Sequence, residues 1–160
     1  MWRYRIGLTA AGLAVIVILR RRYAVVTVEG TSMQPTLHEG DRVLVRKTGI
    51  GQLRRGQVVV ASDPGRTGRP QRRWLIKRVV AVPGDLRPAA WLPATADPGE
   101  RLVPRKKFVV LGDNRPVSYD SRQIGYFCAD RLLGIAVRRI GQPVTVPRLL
   151  IHSPDDDPRW

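Results

Sequence analysis

The chain has one cysteine, two histidines, four lysines and few aromatic residues. Each shortage excludes something. With Cys128 alone no internal disulfide can form, and His38 and His152 make no Cys/His set with metal-ligand spacing. No metal and no cofactor is therefore expected. Cys128, in "GYFCAD", reads as a small buried hydrophobe. Aromatics make up 6% of the chain and are not interleaved with its arginines, so a base-stacking platform is lacking and no nucleic-acid partner is expected. Only one long apolar run occurs, Ile6 to Leu19, and no helical periodicity follows it. What is abundant is arginine. The formal net charge is +15, spread over every segment, which suits an anionic membrane surface or simply a solvated face. At 160 residues the chain is long enough to bury a core without a staple.

The start, "MWRYRIGLTAAGLAVIVILRRRY", admits three readings: a cleaved signal peptide, a membrane anchor or a core helix. Fourteen residues rise about 21 Å as a helix, short of roughly 30 Å of hydrocarbon. Trp2, Tyr4 and Tyr23 flank the run as interfacial aromatics, however, and the arginines at both ends can snorkel. Small residues are missing where a cleavage site would stand, and a helix apolar all round has little to bury it in a small β domain. The flanks favour one anchor over residues 1–23. Arg20, Arg21 and Arg22 outnumber Arg3 and Arg5, so the charge rule alone would keep the rest of the chain in the cytoplasm.

From Ala24 onward short β-branched runs alternate with glycine and proline. "YAVVTVEG", "DRVLVRK", "GQVVVAS", "WLIKRVVAV", "KKFVVLGD" and "LLGIAVRRI" each predict a strand. The spacing predicts a mostly β fold, a compact body of bent antiparallel sheets over residues 24–140. Residues 62–73 and 86–100, rich in proline and glycine, read as loops. The tail, 141–160, carries proline and an acidic run and is expected to be partly disordered.

A serine attacks a carbonyl only if something removes its proton. Neither histidine stands in a suitable context, His38 being in a polar turn and His152 in the tail, so a Ser-His-Asp triad lacks support. Lysine can serve if it is neutral, and apolar burial disfavours the ammonium. Lys77 alone lies inside an apolar strand, where alternation would put Leu75, Lys77 and Val79 on one side; an edge-strand lysine that blocks aggregation is the competing reading. The turn "EGTSMQPTL" offers Ser32. The segment "LGDNRPVSYDSRQIG" gathers more mutually bonding groups than a plain loop needs. There Ser118 could align the lysine amine, and Asp120 with Arg122 could brace the turn.

Four segments in order, "GTSMQPTL" at 30–37, "GDRVLVRK" at 40–47, "KRVVAVPGD" at 77–85 and "LGDNRPVSYDSRQIG" at 111–125, resemble the signal peptidase I family. Its members are membrane-bound serine-lysine endopeptidases that remove signal peptides. With the N-terminal run the resemblance covers nearly everything from Met1 to Ile140. It implies Ser32 as nucleophile and Lys77 as general base, with Ser118 orienting the lysine and Asp120 and Arg122 as a structural pair. It implies the Ser32 backbone N–H as one oxyanion donor. Some members carry a hydroxyl residue where this chain has Gly30, so the second donor here is a backbone group such as that of Gly30, or Thr31, or water. Ile76 matches a pocket residue of the family, and Met33 would line the same groove, which accepts small side chains. The implied partners are a signal- or leader-bearing protein and the lipid bilayer. The implied location is the cell (inner) membrane with the catalytic domain on the extracytoplasmic side, against the arginine triplet. Between Asp85 and Phe108 there is no room for the accessory β domain of larger members. A dedicated maturation protease is the alternative within the class. Outside it stand the self-cleaving repressors, which carry a DNA-binding helical domain where this chain has an apolar run, and a non-enzymatic basic binding protein.

Overall fold

The computed structural model describes residues 16–63, 74–88 and 101–141. Residues 16–22 are helical and lead directly into the first strand. Seven strands follow: β1 Tyr23–Thr27, β2 Arg42–Lys47, β3 Val58–Ser62, β4 Trp74–Ala81, β5 Lys107–Leu111, β6 Phe127–Cys128 and β7 Leu132–Arg139. They form one sheet in the order β1-β2-β7-β3-β4-β5-β6, and every neighbouring pair is antiparallel. The six runs of β-branched residues read from the sequence are six of these strands. The seventh, β6, is too short to leave a periodic signal.

Register shifts at Leu44/Val45, Val60/Ala61 and Val79/Ala81 bend the sheet. The bends let both faces of β3 and β4 pack, so the sheet holds two main cores beside a small cluster of Ala81, Val103 and Val109. One gathers Leu53, Val59, Ala61, Val79, Phe108, Val110, Phe127 and Ile135. Phe108 and Phe127 lie tilted with ring centroids 5.9 Å apart. The other gathers Val28, Met33, Leu37, Val43, Val45, Val60 and Ile76. In this second core the chain just after β1 meets β3 and β4, three and four strands away in the sheet order. The sheet therefore curls until the two regions pack together.

Two expectations are corrected or left aside. Cys128 is exposed rather than buried, because Phe127 takes the inward position of β6 and its neighbour must point out. Sequence periodicity shows no helix after residue 23, yet α1, Ser121–Ile124, forms a single turn capped by Asp120 and Gln123. Among the described residues no helix is long and apolar enough to cross a membrane. Most of the Ile6–Leu19 run, the loops at 64–73 and 89–100, and the tail from 142 lie outside the described residues.

Candidate active site

Ser32 sits in the turn that follows β1. Gly30, at φ +77°, takes the left-handed conformation that reverses the chain and that a side chain would strain. The reversal is closed by Gln34 N–H donating to Thr31 O at 3.1 Å and by Leu37 N–H donating to Met33 O at 3.0 Å. Met33, at 1% exposure, anchors the turn in the second core. Ser32 is left half-buried on the rim above it. Lys77 comes from the middle of β4, with Val59 of β3 directly opposite. It is 4% exposed, and its Nζ donates to Ser32 Oγ at 2.6 Å.

The 111–125 segment buttresses this pair. Asn114 N–H donates to Ser32 O at 3.0 Å, and Asn114 Nδ2 donates to Thr31 O at 3.2 Å. Gly112 lies so close that a Cβ there would stand 2.5 Å from Ser118 Cβ and 2.6 Å from Ser32 O, and would overlap Ser118 Oγ. Ser118 and the Ser32 backbone are thus packed on one glycine. Ser118 is 5% exposed, and its Oγ makes no well-aligned hydrogen bond, although it lies near enough to Asp120 to help hold that carboxylate ionised.

Asp120 is fully buried and forms a two-pronged pair with Arg122: Nε donates to Oδ1 at 2.9 Å and Nη2 donates to Oδ2 at 3.0 Å. Burial alone would raise this carboxyl, and it is the largest single influence. The Arg122 guanidinium, the Gly112 N–H at 3.0 Å, the Ser118 hydroxyl and the Arg122 N–H together outweigh it, so the net shift is downward. Arg122 also donates to the carbonyls of Arg115 at 2.6 Å and Ser118 at 3.2 Å, tying the whole loop to one buried charge.

A second ion pair stands beside Lys77 and was not read from the sequence. Arg78 donates through Nε to Asp113 Oδ1 at 2.7 Å and through Nη2 to Oδ2 at 2.6 Å. Thr36, four residues after Ser32, donates its hydroxyl to Asp113 Oδ2 at 2.5 Å. Arg78 Nη1 donates to Gly56 O at 2.7 Å. The Arg78 guanidinium is the main cause that holds Asp113 below the usual carboxylate range; burial opposes it, while Thr36 reinforces it, as does Lys77 whenever it is protonated. The pair links the serine turn, β4 and the 111–125 loop. Its signal in the sequence was the arginine directly after Lys77 and the Asp-Asn following Gly112, residues without assigned roles until the fold places them together.

Of the residues singled out from the sequence, Ser32 and Lys77 are in contact, Asp120 and Arg122 are paired, and Ser118 abuts Gly112 beside Ser32. Met33 and Ile76 line the second core at 1% and 8% exposure. Gly30 and Thr31 are exposed on the turn. Among the described residues no group of three or more His, Cys, Asp or Glu could hold a metal. The open edges matter as much as the side chains. Among the described residues β1 pairs only with β2, and β5 pairs with β4 from Arg78 onward, so the stretch Trp74–Lys77 has one edge without a strand partner among them. A hydroxyl facing a buried amine beside an open strand edge can activate a nucleophile against an extended peptide.

The comparisons agree with that class. Residues 2–86 and 90–140 match the family model described as signal peptidase, peptidase S26. The chain belongs to this family. It is 32% identical over 136 residues to signal peptidase I T of Bacillus subtilis (strain 168), covering 67% of this chain and 68% of that one. It is 32% identical over 136 residues to signal peptidase I of Bacillus licheniformis, covering 67% and 70%. It is 31% identical over 144 residues to signal peptidase IB of Staphylococcus aureus (strain COL), covering 68% and 72%.

Proposed function

We propose that the chain is a membrane-anchored serine endopeptidase that removes signal or leader peptides from exported proteins. Ser32 is the nucleophile and Lys77 the general base. The observation that carries this reading is the 2.6 Å contact between Lys77 Nζ and Ser32 Oγ at a lysine 4% exposed. An ammonium cut off from water is costly, which favours an amine able to take a proton.

In the mechanism, a substrate strand adds to the free edge of β4 at Trp74–Lys77, its main chain held as in a sheet. Lys77 takes the Ser32 proton as Oγ bonds to the scissile carbonyl carbon. The oxyanion that forms is met by the Ser32 N–H, which has no partner among the described residues. Collapse of this intermediate breaks the C–N bond, and the lysine returns the proton to the leaving amine. Water then attacks the acyl-enzyme with Lys77 again as base, releasing the new carboxylate and restoring Ser32. Gly30 carries no hydroxyl and its φ of +77° disfavours one, so the second oxyanion donor is a backbone N–H, Thr31 or water. The groove for small substrate side chains before the cut is bounded by Ile76, 8% exposed, with the buried Met33 packed behind it. The N-terminal run anchors the chain, with the catalytic body on the extracytoplasmic side where such substrates emerge.

The test is cleavage of a fluorogenic Ala-x-Ala signal-sequence peptide in detergent or lipid. Ser32→Ala and Lys77→Ala should abolish turnover with circular dichroism unchanged. Lys77→Arg should also be inactive, because guanidinium holds its proton throughout the usable pH range. Turnover retained by any of the three would refute the assignment.

A further inference from the structure

Asn114 stands just before the short 3-10 turn Arg115–Val117, at the position that caps it. Asparagine is among the preferred capping residues, yet here its side chain makes no capping bond. The side chain goes to the serine turn instead, 83 positions away. Asn114 Nδ2 donates to Thr31 O at 3.2 Å, and Asn114 N–H donates to Ser32 O at 3.0 Å. A carbonyl oxygen only accepts, so the amide NH2 is the end that faces Thr31. One residue thus holds the two carbonyls that flank the Ser32 Cα.

We propose that Asn114 is a positioning residue for the oxyanion, aiming the Ser32 N–H at the place where the substrate carbonyl oxygen becomes negative. The inference rests on the peptidase reading above and adds to it the group that orients its backbone donor.

The reason lies in peptide geometry. A trans peptide is planar, and its C=O and N–H point in opposite directions. The Ser32 N–H belongs to the Thr31–Ser32 peptide, so whatever holds Thr31 O on one side sends this N–H to the other. Thr31 O has two lone pairs and uses both, one for Gln34 N–H at 3.1 Å within the turn and one for Asn114 Nδ2. The turn's own bond does not settle the neighbouring peptide. Turns of types I and II share an i to i+3 bond and differ in which way their central peptide faces. Here that peptide is Ser32–Met33, and its carbonyl is the one Asn114 N–H holds. Type II would also need a positive φ at Met33, which Met33 does not have.

Fixing both planes sets φ and ψ of Ser32. The Ser32 N–H itself has no partner among the described residues, so it is free to meet an oxyanion without first breaking a bond. Its partner charge appears only as the reaction proceeds, so a poorer aim raises the barrier and leaves substrate binding as it was. A side-chain variant keeps the Asn114 N–H and therefore loosens only the Thr31–Ser32 plane. The Ser32 Oγ stays where Lys77 Nζ meets it.

The test compares Asn114→Ala with the parent, as full chains in detergent, on the fluorogenic Ala-x-Ala peptide. Inhibition is measured on the same proteins with a peptide ending in alaninal and with its alaninol counterpart. Ser32 Oγ adds to the aldehyde carbon, its proton passes to Lys77, and the aldehyde oxygen becomes an alkoxide facing the Ser32 N–H; the alcohol cannot form this adduct. In Asn114→Ala kcat should fall at least about tenfold with KM within about twofold of the parent. The aldehyde should bind more weakly by a similar factor, while the alcohol binds as before. The rising limb of the pH–rate profile should stay in place, because the Lys77 contact is untouched. Asn114→Ser, too short to reach Thr31 O, should repeat the pattern and keeps the test decisive if the alanine protein folds poorly. A kcat within about threefold of the parent, equal weakening of aldehyde and alcohol, or a displaced pH limb would overturn the proposal. A parent that neither cleaves the peptide nor binds the aldehyde would instead refute the peptidase reading, and this assignment with it.

Discussion

Gly112 is the position where a single methyl group should separate folding from catalysis. It has neither a positive φ nor a turn to explain it; the neighbouring atoms leave no volume for a Cβ. In Gly112→Ala the new methyl would stand 2.6 Å from the Ser32 carbonyl oxygen and 2.5 Å from Ser118 Cβ. Ordinary contact begins near 3.4 Å, so something must move by the better part of an ångström. Ser118 can rotate its hydroxyl away, but the Ser32 carbonyl is backbone and is fastened by Asn114 N–H. The shift therefore falls on the peptide of Ser32, the proposed nucleophile. Overpacking of this kind costs about 1–3 kcal/mol. A displacement of about 1 Å at a reacting group costs roughly a hundredfold in rate. Urea denaturation should show the modest loss, while kcat/KM for a signal-sequence peptide should fall by about two orders of magnitude. Gly112→Ala with Ser118→Gly should regain part of the stability and little of the activity, since the contact with Ser32 O persists. Gly49→Ala, with nothing within 4 Å of its Cβ, is the control and should change neither. Activity of Gly112→Ala within about threefold of the parent would refute the argument that this contact positions Ser32.

The two ion pairs make further predictions. Asp120→Ala leaves Arg122 partly buried without its partner and should cost about 3–5 kcal/mol, read as a lowered melting temperature. A melt unchanged within error would mean that the loop is held by its backbone contacts instead. Asp113 and Asp120 both have lowered folded-state values. Their contribution is complete above the unfolded carboxylate value of about 3.9 and is lost as pH falls through the folded values. Urea midpoints should therefore gain nothing from these two groups' titration above about pH 4 and drop below that. Asp113→Asn should flatten part of that acid limb, and an identical limb in the variant would refute the assignment. Arg78→Gln removes the cation that balances Asp113, leaving a carboxylate whose field favours the Lys77 ammonium. The rising limb of the pH–rate profile should then move to higher pH, whereas a purely structural role would lower kcat at every pH alike.

How much of this was legible in the sequence follows from the range of each signal. Strands β1–β5 and β7 were readable because a run such as Val58–Ser62 carries its own β-branched composition and its own flanking breakers. β6 was not, because two residues have no periodicity, and its brevity is also why Cys128 was given the wrong environment. At the site, Lys77 stood out as the one lysine in an apolar run, and Ser32 as a serine in a turn with too many specialised neighbours. Asp113 and Arg78 carried equally strong chemistry, yet each looked like an ordinary charged residue. Their partnership spans 35 positions and depends on where β4 and β5 part company. The same parting frees the Trp74–Lys77 edge. A charge pair that bridges β4 to the loop after β5 stands at Arg78, the residue where the ladder stops and where the proposed substrate strand would begin. The ion pair and the edge proposed to take a peptide are in this way two results of one register, one that no local pattern could have revealed.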